Sequence, residues 1–240
     1  MEAVILAGGK GTRLRPYTSV FPKPLMPVGD LPILEIVLRQ LKADGIENIT
    51  LTVGHLAALI ESFFADGNRL GLQVSYSRED KPLGTAGPLG LIPTPEEDFL
   101  VMNGDLLTTF PFGEFVEHHK KSGAICTVGV YRKTVKMSLG VLDLDGDKIT
   151  GYREKPELVF PVSMGIYMFS PEVLKFIPRN EYLDLPDLII KLIEAEENVG
   201  TYIFDGIWLD IGRKEDYEDA HEMFEEHKSE FLRKSVFPVS

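Results

Sequence analysis

The sequence predicts an α/β protein on a mostly parallel sheet, for three reasons. Wholly apolar runs at residues 3–7 and 99–102 read as strands buried on both faces. Ile33, Ile36, Val37 and Leu41 recur three and four apart, the period of a helix with one buried face. Strand-like and helix-like segments alternate along the first half of the chain, as the crossovers of a parallel sheet require.

The elements follow in order. The strand at 3–7 runs into Gly8, Gly9 and Gly11, which read as a glycine-rich turn. Prolines at 16, 22, 24, 27 and 32 forbid regular helix, so 15–31 is predicted to be a long, stiff surface loop. The helix from Ile33 closes before Gly45, placed for a left-handed cap. A strand at 49–53, a helix at 56–64 and a strand at 72–76 complete a βαβαβ series. The strand at 99–102 ends in Asn103, Gly104 and Asp105, at the strand end where ligands of open α/β sheets collect. A helix at 112–121 and a strand at 125–131 continue the series. Short β stretches at 140–144, 148–153 and 164–169 then break it, with a hairpin turn at Asp145, Gly146 and Asp147. Helices at 185–195 and 214–227 flank a strand near Tyr202, and residues from Lys234 onward read as a frayed tail.

Composition narrows the classes of partner. At 240 residues, with 44% hydrophobic and 26% charged residues, the chain suits one large globular unit and neither disorder nor coiled coil. A formal charge of −12, from 25 basic and 37 acidic residues, argues against nucleic acid and against an anionic membrane. Any phosphate chemistry must therefore concentrate a few Lys and Arg locally. The single cysteine, Cys126, excludes an intramolecular disulfide framework, fits a reducing compartment, and sits where a buried thiol is expected. No apolar run nears the ~20 residues that span a bilayer, and Met1 leads straight into a strand, so a cytoplasmic location is expected. His118, His119, His221 and His227 lack the spacing of a zinc pair and are read as helix surface residues.

The glycine turn carries the first chemical signal. Gly8, Gly9, Gly11, Thr12 and Arg13 bring unhindered amides and a guanidinium to the end of a buried strand, a place where peptide N–H groups can receive phosphate oxygens. The dinucleotide fingerprint would need glycine where Leu14 stands, and the Walker spacing is missing. Lys23 lies between Pro22 and Pro24, whose fixed φ angles hold its charge in a narrow range of positions.

The run Gly8-Gly9-Lys10-Gly11-Thr12-Arg13-Leu14-Arg15-Pro16, with Phe21-Pro22-Lys23-Pro24-Leu25, resembles the signature of the sugar-phosphate nucleotidylyltransferases, or NDP-sugar pyrophosphorylases. Pro82-Leu83-Gly84-Thr85-Ala86-Gly87, Gly151-Tyr152-Arg153-Glu154-Lys155-Pro156 and Trp208-Leu209-Asp210-Ile211-Gly212 resemble the same family in the same order, most closely its mannose- and heptose-1-phosphate guanylyltransferases. The resemblance implies a three-layer α/β/α Rossmann-like fold with a mixed, mostly parallel sheet and a small β-rich sugar-binding lobe. One domain over 1–233 is implied, with nucleotide bound by about 1–110 and sugar phosphate by about 111–212, and the tail at 234–240. The implied reaction is attack of a sugar 1-phosphate on the α-phosphate of a nucleoside triphosphate, with Mg2+ assisting and pyrophosphate leaving.

Phosphoryl-type transfer asks a protein mainly for alignment and charge neutralisation. Arg13, Lys23 and Asp105 are the catalytic candidates. Arg13 suits the leaving pyrophosphate and Lys23 the α-phosphate. Asp105 and Asp210 supply the hard oxygens that magnesium prefers. Leu6, Ala7, Gly8, Gly9, Gly11, Thr12, Arg13, Glu79, Gly84, Thr85, Ala86, Asn103 and Gly104 are expected to bind nucleotide. Gly140, Glu154, Lys155 and Gly165 are expected to bind sugar phosphate, Lys155 by analogy with the matching family lysine.

Glu79 precedes Pro82 by the family's spacing for the base-reading side chain, with Asp80 the alternative if the register slips by one. An ionised carboxylate accepts two hydrogen bonds, and the guanine edge offers two adjacent donors, so GTP is favoured over dTTP, UTP or CTP. Many relatives carry Asn-Ala-Gly where this chain has Ser163-Met164-Gly165, which leaves mannose 1-phosphate and a manno-configured heptose 1-phosphate both open. The sequence ends soon after the last motif helix, which predicts a monofunctional enzyme without the β-helix or isomerase-like domain of some relatives. Rival readings are a glucose-1-phosphate thymidylyl-, uridylyl- or cytidylyltransferase and a non-catalytic nucleotide-sugar sensor. The intact set Arg13, Lys23, Asp105 and Asp210 speaks against the sensor. Homo-oligomerisation is left open.

Overall fold

The computed structural model describes residues 1–232. The expected tail at 234–240 lies outside them. The elements are β1 (Glu2–Leu6), the hairpin strands β2 (Pro27–Val28) and β3 (Leu31–Pro32), α1 (Ile33–Ala43), β4 (Asn48–Val53), α2 (Ala57–Phe64), β5 (Gln73–Arg78), β6 (Phe99–Asn103), β7 (Leu106–Thr108) and α3 (Phe112–Ser122). Then come β8 (Cys126–Lys136), β9 (Val141–Asp145), β10 (Lys148–Arg153), β11 (Glu157–Phe169), α4 (Leu185–Glu194), β12 (Val199–Phe204), β13 (Trp208–Asp210), α5 (Lys214–Glu226) and α6 (Lys228–Phe231).

Among the described residues, seven strands make the central sheet in the order β12-β8-β11-β6-β1-β4-β5. β11 runs antiparallel to both β6 and β8, and the other neighbours are parallel. This is the expected mixed, mostly parallel sheet. Apolar side chains of α1, α2 and α3 pack on Ala3 and Ile5 of β1 and on Leu51 and Val53 of β4. The opposite side, from Val4, Val101, Tyr167 and Phe169, is covered by Leu185, Leu188 and Leu192 of α4 and by Leu89 and Val173 of short 3-10 turns. Successive residues of β1 thus serve two cores, which is why its sequence is apolar without alternation.

β1 is the pivot of the topology. The chain leaves it toward β4 and β5 on one side and returns on the other side as β6, so a crevice opens between the carboxyl ends of β1 and β6. The Gly104 N–H donates to the Leu6 carbonyl at 2.9 Å and closes the floor of that crevice.

Three expectations need correction. Residues 15–31 are not simply a surface loop: they fold into 3-10 turns and the β2–β3 hairpin, and Lys23, Pro24, Leu25 and Met26 are buried. The prolines do exclude α-helix, but Met26 and Val28 are apolar and find a core with α1 and α5. β8 and β11 extend well beyond the predicted 125–131 and 164–169, pairing as far as Lys136 and Glu157 in an arm whose charged and proline residues hid it. His119 is no surface residue. It continues the stripe Phe112, Phe115, Val116 of α3 and is only 1% exposed, its Nδ1 2.7 Å from Thr127 Oγ1 and its Nε2 3.6 Å from Asp98. The expected burial of Cys126 holds.

Burial lowers the pKa of His119 below its ordinary 6.5, although Asp98 opposes the shift. The unfolded chain then binds a proton that the folded chain refuses, so this contribution to stability is complete above about pH 6.5 and is lost as the pH falls toward the folded value. Urea unfolding at about pH 7.5 and 5.5 should show a smaller acid loss of stability in His119→Gln than in the parent; equal losses would place the acid sensitivity elsewhere.

Candidate active site

A third apolar cluster lies beneath the crevice, formed by Leu14, Met26, Val28, Ile33, Ile36, Leu107, Ile211, Ala220, Phe224 and Phe231. Its members neighbour the candidate polar residues in sequence. Leu14 follows Arg13, Met26 lies three beyond Lys23, Leu107 two beyond Asp105, and Ile211 follows Asp210. Each fully buried Leu, Ile or Phe side chain contributes roughly 1.5–3 kcal/mol of transfer free energy, so the polar residues are set by the packing below them.

Gly11 begins the 3-10 turn that carries Arg13. Its φ of +57° is one that L side chains rarely adopt, and a side-chain carbon there would stand 2.9 Å from Thr18 Cγ2 and 3.3 Å from Lys23 Cβ. The turn therefore lies directly against the lysine segment. Thr18 Oγ1 donates to the Gly11 carbonyl at 2.7 Å and fixes the same junction.

The Lys23 ammonium is ion-paired and hydrogen-bonded to Asp105 Oδ2, with side-chain exposures of 9% and 26%. A lysine this enclosed needs a counterion. Asp210 arrives by strand register: β13 pairs antiparallel with β7 so that Asp210 faces Leu106, and the Ile211 N–H donates to the Asp105 carbonyl at 3.3 Å. Surrounding protein raises the Asp210 carboxyl above the usual aspartate pKa of 3.8, Asp105 adds to the rise, and Lys23 and Arg13 oppose it. The Arg13 guanidinium lies over Gly212, where a side-chain carbon would be 3.3–3.4 Å from Nη1, Nη2 and Cζ. Arg13, Lys23, Asp105 and Asp210 thus occupy one neighbourhood at the carboxyl ends of the strands, as the sequence led us to expect.

Leu6 ends β1, and the N–H of the next residue, Ala7, donates to the Thr52 carbonyl at 2.9 Å. Gly8 packs on Glu79, while the position of a side chain at Gly9 is open space. Thr12 and Arg13 are exposed at the crevice mouth. Glu79 stands just past β5, where its carboxylate wedges between two glycines: a side-chain carbon on Gly8 or Gly54 would come within 2.6 Å of Oε1. Its Oε2 accepts the Leu83 N–H at 3.1 Å. Burial raises the Glu79 carboxyl above its ordinary value, against the Leu83 hydrogen bond. Asp80, the register alternative, is exposed.

Gly84, Thr85 and Ala86 face a different neighbour. Thr85 Oγ1 accepts the Leu185 N–H at 2.7 Å, the Thr85 N–H donates to Asp184 at 3.0 Å, and the Ala86 N–H donates to the Leu183 carbonyl at 2.8 Å. These groups join the motif to the start of α4.

The residues expected to bind sugar phosphate fall into two groups. Gly165, with φ +72°, lies where β11 loses register with β8, and a side-chain carbon there would stand 2.5 Å from Asn103 Nδ2. The bulge thereby brings 163–165 to the end of β6. Gly140 abuts Tyr152, whose hydroxyl donates to Glu154 at 2.8 Å, and Lys155 follows with φ +42°, exposed at the end of β10. That hairpin is a separate two-stranded sheet.

The sequence match decides the family: residues 2–227 fit the model of the nucleotidyl transferases. This chain is a member of that family. The glucose-1-phosphate uridylyltransferase of Synechocystis sp. is 39% identical over 92% of the chain and 62% of that protein. The catalytic subunit beta of Danio rerio mannose-1-phosphate guanylyltransferase is 34% identical over 90% of the chain and 62% of that protein. The chain therefore spans 62% of the length of either relative. A Bacillus anthracis structure assigned to a glucose-1-phosphate thymidylyltransferase shares the fold, with TM-score 0.78 at 24% identity over 99% of this chain and 97% of that one. The expected sugar-phosphate nucleotidylyltransferase resemblance and the Rossmann-like fold are both borne out.

Two site features escaped the sequence reading. Gly54 shares the Glu79 contact with Gly8, and its position at the end of β4, level with the turn after β1, was the available clue. Asp216 accepts the Gly212 and Arg213 N–H groups at 3.1 and 2.7 Å, and an acid three residues after Arg213 at a helix start was its signal.

A methyl group at Gly165 meets both an unfavourable φ and the Asn103 amide. Gly165→Ala should destabilise the protein by about 1–3 kcal/mol in chemical denaturation. A loss below a few tenths would show that Asn103 moves aside freely.

Proposed function

We propose that this chain catalyses nucleotidyl transfer from a nucleoside triphosphate, GTP favoured, to a sugar 1-phosphate of the mannose or manno-heptose type, giving an NDP-sugar and pyrophosphate. The observation that carries this reading is the union of Arg13, Lys23, Asp105 and Asp210 beside the open face of the glycine turn, supported by family membership. A sugar-phosphate oxygen forms a bond to the α-phosphorus while the bond from that phosphorus to the bridging oxygen of the leaving pyrophosphate breaks. Lys23 meets the charge on the α-phosphate, Arg13 forks onto the departing pyrophosphate, and glycine-turn amides take up the remaining phosphate oxygens.

Asp105 and Asp210 form a donor set suited to Mg2+. Among the described residues no cluster of three or more metal-ligating side chains exists, and two carboxylates completed by water and phosphate oxygens match magnesium's usual coordination. Bound there, the ion would supply charge neutralisation at the reacting phosphate. Lys155 and Glu154 are assigned to the sugar phosphate together with Gly140 and Gly165. Among the described residues no helix is long and apolar enough to cross a membrane.

Glu79, beside the glycine turn, is the group assigned to the base. Ionised, it accepts two donors from guanine. A second reading, UTP with glucose 1-phosphate, is favoured by the 39% identical Synechocystis relative. Burial disfavours the charged form of Glu79, and a carboxyl that took up a proton on binding would offer a donor and an acceptor in line with the uracil edge.

Pyrophosphate release over a grid of GTP, UTP, dTTP, CTP and ATP against hexose and heptose 1-phosphates tests both. Highest kcat/KM with GTP and a manno-configured acceptor is expected, and no release with any pair would overturn the reading. Lys23→Ala should lower kcat about 100-fold or more while nucleotide KM changes far less; a raised KM with kcat unchanged would assign Lys23 to ground-state binding, and equal losses in both would contradict a role mainly in the transition state. Glu79→Gln should narrow the GTP preference over UTP by roughly 10-fold, whereas an unchanged ranking would mean that another group reads the base.

A further inference from the structure

We propose that Asp216 is a positioning residue for this transfer: its carboxylate fixes the stretch of backbone on which the Arg13 guanidinium rests. The inference builds on the role proposed above for Arg13. Gly212 is buried, and the three guanidinium atoms Nη1, Nη2 and Cζ lie nearly equidistant, 3.3–3.4 Å, from the place a side-chain carbon would take. Such equal distances mean that the flat face of the guanidinium lies on the glycine. Its edges are then free to point N–H groups into the crevice.

That platform is held at both ends. The Gly212 N–H donates to the Asp210 carbonyl at 2.8 Å and to Asp216 Oδ2 at 3.1 Å, and the same Oδ2 accepts the Arg213 N–H at 2.7 Å. One oxygen at the third position of α5 therefore ties down the turn that joins Asp210 to the helix. The rest of α5 has its own anchors: Tyr217 Oη donates to the Pro27 carbonyl at 2.5 Å, the Gly29 N–H donates to His221 Nδ1 at 3.3 Å, and Phe224 packs in the cluster beneath the site. The helix thus grips the Lys23 segment with one face and, through Asp216, the Arg13 platform with its first turn.

The test is a double-mutant cycle in pyrophosphate release, using the best nucleotide and acceptor found for the parent protein. Asp216→Ala should lower kcat about 10-fold with little change in acceptor KM. Asp216→Asn, which keeps an acceptor oxygen at the same reach, should recover most of the rate. In the Arg13→Ala background, Asp216→Ala should add almost nothing. Gly212→Ala is the second variant: it leaves the Asp216 carboxylate in place, displaces the guanidinium, and should reproduce the loss, again without additivity to Arg13→Ala. Additive losses in either double mutant, or an Asp216→Asn protein as slow as Asp216→Ala, would overturn the positioning role alone. An Arg13→Ala protein with parental turnover would instead overturn the role given to Arg13 itself.

Discussion

An enclosed ammonium organises this molecule. Lys23 is nearly sealed from water, and a positive charge so placed is tolerated only beside a negative one. Asp105 supplies it. The pair joins a proline-rich segment to a strand end 82 residues away, so the loop that would otherwise wander has one place to settle. The surrounding charges are arranged about this contact. Asp210 enters by strand pairing, Arg13 by the turn that abuts the lysine, and the apolar cluster below keeps all four at fixed heights. The protein's net negative charge is compatible with a site for anionic ligands because its few useful cations are anchored and gathered.

The sheet explains why these groups meet. A parallel sheet that winds outward from β1 in both directions opens a crevice at the carboxyl ends of β1 and β6. The glycine turn fills one lip of it, Asn103 to Asp105 the other. The reversed strand β11 then runs between β6 and β8 so that its bulge abuts Asn103, bringing residues 163–165 to the same end. Glu79 reaches the glycine turn because β5 ends level with β4, and two glycines leave its carboxylate a slot that any side chain would fill. Backbone order, more than loop shape, decides which side chains can cooperate.

Much of this was legible in the sequence because it rests on local pattern. Apolar runs and helical spacing gave β1, β4, β5, β6, the inner part of β8 and helices α1 to α3, and the motifs singled out Arg13, Lys23, Asp105 and Asp210, which the fold brings close together. What escaped depends on distant partners. Lys23 reads as exposed until Asp105 is beside it. His119 reads as a surface histidine until its place on the Phe112, Phe115, Val116 stripe is set against β8. The outer half of β8 carries Arg132, Lys133 and Lys136 and that of β11 is interrupted by Pro161, so only their mutual pairing reveals them as strands. The Thr85 hydroxyl has a structural task that the motif does not show: it accepts an amide of α4, 100 residues away in the chain.

The β9–β10 hairpin stands apart from every other sheet, bonded strand to strand only within itself, yet it bears Glu154 and leads into Lys155. An exchange of that short excursion for another of equal span would leave the hydrogen-bonded framework of the main layer untouched. On the proposed assignment of Glu154 and Lys155, recognition of the incoming glycosyl group is thereby uncoupled from the scaffold that folds the chain, and it can diverge among descendants without risking the architecture they inherit.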